Sequence, residues 1–149
     1  MPFRYRLQKI LNYRENQREE QRLKVQKAQS AVNKAEADIR KNKKDIEDTK
    51  NGMRSADPQM YEFYDNFLKH LWKEAERLET VRQELQKQLD IEVEKLVKCE
   101  QAVKVLEKHK EKNRDAYLEE EKHEEQKQFS EIGVTRFYRQ KTEKLEQEK

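Results

Sequence analysis

The chain has 149 residues, 34 of them basic and 31 acidic; only 33% are hydrophobic, and there are two glycines and two prolines. Globular domains draw nearly half their residues from apolar types and about a quarter from charged ones, so this inverted balance excludes a thick multilayer core. The scarcity of Gly and Pro excludes the turns of a sandwich, barrel or doubly wound sheet. What remains is a set of long helices sharing a narrow seam, or a disordered polyampholyte, and periodicity decides between them.

In chain order, Phe3, Leu7, Ile10 and Leu11 form an apolar cluster, and Asn12 to Arg22 then offer hardly anything to bury. From Val25 the residues Ala28, Val32, Ala35, Ile39, Asn42, Ile46, Thr49 and Met53 alternate steps of three and four, a heptad seam. It is thin, with small alanines and polar Asn42 and Thr49, so this first helix (about 3–52) needs a partner. A tip at 53–57 follows: Gly52 suits a left-handed helix terminus, Asp57 an N-cap, and Pro58 a first helical position.

The second helix is predicted over about 58–131. Its seam is Tyr64, Leu68, Leu71, Ala75, Leu78, Arg82, Leu85, Leu89, Glu92, Leu96, Cys99, Val103 and Leu106. The pattern predicts an all-α fold, a long antiparallel two-stranded coiled-coil hairpin whose second helix is the longer. It is read as a single domain. If the tip lies near Asp57, Phe3 and Leu7 face Leu106 and Val103, Ile39 faces Leu71, and each arm is about 75 Å long. Beyond Lys110 the second helix runs on almost wholly charged. Ile132-Gly133-Val134 then interrupts the pattern. Phe129, Ile132, Val134, Phe137 and Tyr138 are too many apolar groups for a solvated tail, so this end, with the C-terminal segment 132–149, is expected to fold back on the open end of the hairpin or to dock on another protein.

Chemistry has little to work with. His70, His109 and His123 are too far apart on one rigid helix to share a metal, and there is no phosphate loop, dinucleotide fingerprint or nucleophile elbow. Cys99 is a seam thiol with no internal disulfide partner, which suits a reducing compartment. The expectation is no enzyme, no cofactor and no metal. Acidic residues interleaved with basic ones, at a net charge of +3, argue against a nucleic-acid partner. No apolar stretch is long enough to insert in a membrane, and no signal peptide is read.

Two surface features go beyond stability. Tyr61, Phe63, Tyr64, Phe67, Leu68, Leu71 and Trp72 crowd the start of the second helix; they make either a wide core near the tip or a docking surface. Residues 1–27 hold eight basic and three acidic side chains. That excess is either a solvated face or a socket for an acidic partner through Arg4, Arg6, Arg14, Arg18 and Arg22.

The run Phe3-Arg4-Tyr5-Arg6-Leu7-Gln8-Lys9-Ile10-Leu11, with Tyr13-Arg14 after it, resembles the N-terminus of the flagellar FliJ family. The distal Lys110, Lys112 and Arg114, the Glu125-Gln126-Lys127 stretch, and Glu131-Ile132, Val134 and Arg136-Phe137 are similar to that family as well. The resemblance implies a non-catalytic coiled coil of the flagellar type III export apparatus: a central stalk in the ring of the export ATPase hexamer that promotes its assembly and activity. It further implies contact with the cytoplasmic domain of the export gate, escort of substrate chaperones, and a cytoplasmic place at the inner-membrane base of the flagellum. Carried over by position, Arg4, Arg6, Arg14, Arg18, Lys108 and Arg114 would meet the ATPase, and Phe63, Tyr64, Phe67, Leu68 and Leu71 the gate. The competing readings are a generic scaffold or holdase chaperone, and the equivalent stalk of a virulence secretion system.

Overall fold

In the computed structural model, which describes residues 2–148, helix α1 spans Gln8–Arg54 and helix α2 spans Tyr61–Gln147, with a 3-10 turn at Pro58–Met60 between them. No strand occurs among the described residues. The all-α antiparallel hairpin with a longer second helix is therefore the architecture found. It divides into two compact units, residues 13–103 and residues 1–12 with 104–149.

The unit of residues 13–103 is a two-stranded coiled coil. The twelve positions of the predicted α2 seam from Tyr64 to Val103 are all at least partly buried, and Leu68, Leu71, Leu78, Leu89 and Val103 are deeply so. On α1 the seam from Val25 to Met53 is likewise the inward face, with Val32, Ala35 and Asn42 its most enclosed members. Spacings of three and four keep side chains on one stripe of an underwound helix, and only that stripe finds apolar neighbours. In the other unit, residues 2–7 lie outside regular helix, and Tyr5, Leu11 and Leu106 form a small core.

Several boundaries differ from expectation. α1 starts at Gln8 rather than near residue 3, because Tyr5 reaches across to Leu106 and His109 and holds the preceding chain as a strap. α1 also runs past Gly52 to Arg54. Gly52 does not take the left-handed conformation; it stays helical, and its bare face lies against the Tyr64 ring, where a Cβ would stand 3.4 Å from the nearest ring carbon. Asp57 does precede Pro58 with an extended backbone, but its side chain makes no capping hydrogen bond.

At the far end α2 continues to Gln147 instead of stopping near 131. Segment 132–149 is not a separate piece: as far as it is described it neither breaks the helix nor folds back. A single glycine costs a helix only about 1 kcal/mol, and the Lys- and Glu-rich flanks carry α2 through Gly133. The register also differs. Asn42, not Ile39, lies at Leu71, so α1 sits three residues farther from the tip than expected. The tip is longer than assumed: Ser55 to Asp57 and the 3-10 turn stand between the helices.

Candidate interaction sites

In the unit containing the N-terminus, Tyr5 is the organising residue. Its hydroxyl lies 2.6 Å from His109 Nδ1 and 3.4 Å from the Leu106 carbonyl oxygen. The Phe3 ring packs on Tyr117 at 5.5 Å, and Lys110 donates to Gln8 at 2.8 Å. These contacts leave Arg4 and Arg6 on the outer side of the strap, exposed, together with Lys108 and Arg114 on α2. None of these four makes an ion pair among the described residues, so the unit presents four unneutralised cations. Tyr117 is held above the usual phenol range, first by partial desolvation and then by its hydrogen bond to Glu121.

Arg14 and Arg18 sit elsewhere. Counting back from Val25 by four, three and four reaches Gln21, Arg18 and Arg14, the continuation of the seam. All three are at least partly buried. Arg14 donates to the Ala102 carbonyl at 3.0 Å, and Gln21 donates to both the carbonyl and the carboxylate of Glu92. Arg18 is 23% exposed; its Nε is buried without a hydrogen bond, the nearest acid being Glu19 at 3.7 Å. The stretch that seemed to have nothing to bury is thus a polar seam. The two arginines are interior groups, unlike Arg4 and Arg6, and Arg22 stays at the surface beside Glu19 and Glu100. The unbroken spacing was the signal; the polarity of the residues concealed it.

The tip residues divide in the same way. Leu68 and Leu71 are seam residues, 5% and 7% exposed, and Tyr64 is half-buried against Gly52. Phe63 and Phe67 point outward, with Phe63 63% exposed, and Met60, Tyr61 and Trp72 are exposed around them. The cluster is therefore both a core and a surface.

The distal apolar residues, expected from the sequence either to fold back or to dock on another protein, do not fold back. Phe129, Ile132, Val134, Phe137 and Tyr138 are each at least half exposed, on a stretch of α2 that packs against no other segment. At 100° per residue they cover roughly 240° of the helix circumference. Among the described residues no group of His, Cys, Asp and Glu side chains could hold a metal ion, and no helix is long and apolar enough to cross a membrane.

A protein-family model described as the flagellar FliJ protein matches residues 3–142. Neither the curated proteins nor the solved structures yield a match.

Proposed function

The chain belongs to the flagellar FliJ protein family, which makes it a protein of flagellar type III export, and we propose that within that apparatus it works without catalysis as the central stalk of the export ATPase ring. The observation that carries this reading is the stretch Phe129–Tyr138. Apolar side chains spread over roughly 240° of one helix cannot be covered by one partner helix, which shields a stripe of about 100°. A partner that surrounds the helix covers them all. Arg4, Arg6, Lys108 and Arg114, exposed in the same unit, supply the electrostatic steering toward acidic groups on that partner. Arg14 and Arg18 are engaged in the seam and contribute to its geometry instead.

The tip supplies a second contact, with the cytoplasmic domain of the export gate. Phe63 and Phe67 are its anchors, since Leu68 and Leu71 are already committed to the core. Exposed aromatic side chains of this kind are the groups that interfaces favour. Escort of substrate chaperones, and a station on the cytoplasmic side of the inner membrane at the flagellar base, complete the proposed role.

The test is reconstitution with the export ATPase of the same organism. Adding the chain should shift the ATPase toward hexamers and raise its turnover. Arg4→Glu with Arg6→Glu should weaken that stimulation at least tenfold, while Phe63→Ala with Phe67→Ala should spare it and reduce gate-domain binding. An ATPase whose assembly and turnover ignore the native chain would sink the proposal.

A further inference from the structure

Within residues 13–103 the apolar seam selects which faces meet, but it is nearly blind to a slide of one heptad. Val25, Val32, Ile39, Ile46 and Met53 recur every seven residues on α1, and Leu71, Leu78 and Leu85 every seven on α2. A slide of seven residues, about 10 Å along the helix, carries apolar groups onto apolar groups. Apolar contact is non-directional. Register in such seams is set by polar residues, whose hydrogen bonds do have direction.

Glu92 is the acidic member of the α2 seam, and its carboxylate and carbonyl both accept from Gln21. One heptad before Gln21 stands Arg14, on the same row of α1 and also in the seam. Sliding α1 by seven residues toward the tip brings Arg14 to the level of Glu92 and replaces a neutral amide donor with a guanidinium. The register observed is incompletely satisfied at this place: Arg18 Nε is buried without a hydrogen bond. Arg14, for its part, is spent on the Ala102 carbonyl, which as a helical carbonyl also lies within reach of the backbone N–H four residues on. The slide also has somewhere to go. In the last two turns of α1, Asp48, Lys50, Asn51 and Arg54 are exposed, so unwinding them gives up only the partial burial of Thr49, Gly52 and Met53.

We propose that Glu92 is the pivot of a two-register device, held by Gln21 in the register observed and by Arg14 in a register one heptad closer to the tip. Discrete one-turn displacements of one packed helix past another are an established type of protein switch, and this one spans two turns. In the second register Gly52 leaves Tyr64, and the turn of α1 around Asn42 takes its place beside that ring. The state of the polar seam thereby controls which turn of α1 packs against Tyr64. The device rests on the geometry of residues 13–103 and stands apart from the proposed function.

Spin labels on cysteines placed at Glu20 and Glu76, both exposed, in a chain carrying Cys99→Ser, read the register as a distance. The native chain should show one dominant, longer distance. Gln21→Leu removes the amide donor and should raise a population shorter by up to about 10 Å, from below about a tenth of molecules to above half. Adding Arg14→Leu to Gln21→Leu should abolish that population, since Glu92 then has neither partner. Only the native distance in Gln21→Leu would overturn the proposal. So would a shorter population that persists in the double variant, or a Gln21→Leu chain that loses its helical structure.

Discussion

Helix α2 contains two stretches of similar charge and opposite fate. From Tyr64 to Leu106 a leucine-rich seam recurs at three and four, and every position of that seam is at least partly buried. From Glu111 to Gln147 the apolar residues are scattered round the helix, and apart from Tyr117 every described side chain is exposed. What separates the stretches is angular placement together with composition, the first being much the richer in apolar residues. A stripe can be covered by one neighbouring helix, whereas a scattered set can be covered only by something that encloses it. Stability of the fold therefore resides in the first stretch, and recognition is assigned to the second.

The sharpest way to break this contrast is truncation of one side chain in each stretch. Leu71→Ala should cost about 2–4 kcal/mol of unfolding free energy and lower the thermal midpoint markedly. Phe129→Ala should leave thermal unfolding unchanged while weakening association with the ATPase. Equal effects of the two on unfolding would erase the distinction.

A smaller effect sharpens it. Gly133 has open space around it and Gly52 has Tyr64 at ordinary contact distance, and both are helical, so alanine fits at either site. Each substitution should raise helix stability by up to about 1 kcal/mol. Gly52→Ala should raise the midpoint of thermal unfolding; Gly133→Ala should slow hydrogen exchange only in its own neighbourhood, because no tertiary contact links that stretch to the cooperative core.

The smallest expected effect is electrostatic. On α2, the hydrogen bonds from Arg77 and Arg82 hold the carboxyls of Glu74 and Glu79 below the usual carboxylate range. A depressed folded-state value contributes stability that is present above the unfolded value of about 4.3 and is lost as pH falls through the lower folded values. Both pairs are solvated, so the contribution is slight. Acid titration of the thermal midpoint should show a shallow loss below about pH 4 that is reduced in a Glu74→Gln, Glu79→Gln variant.

How much of this was legible beforehand follows from the chemistry of each seam. The α2 seam could be read in full because leucine dominates it, and a leucine repeat has no other common explanation. The α1 seam could be read only from Val25 onward. Arg14, Arg18 and Gln21 keep the same spacing, but their side chains suggest solvent until Glu92 and the Ala102 carbonyl are seen opposite them. Gly52 and Gly133 were read as stop signals. Glycine permits a left-handed turn without requiring one, and neither residue takes it.

The amino-acid sequence by itself determined the class of fold, the number of helices, the inward face of each beyond Val25, and membership of the FliJ family, since periodicity and local motifs are properties of the chain alone. The tertiary structure decided the three-residue shift in register, the burial of Arg14 and Arg18 against the exposure of Arg4 and Arg6, and which tip aromatics are free. Those depend on which group lies across the seam, and a polar side chain finds its partner only when the second helix has been laid against the first.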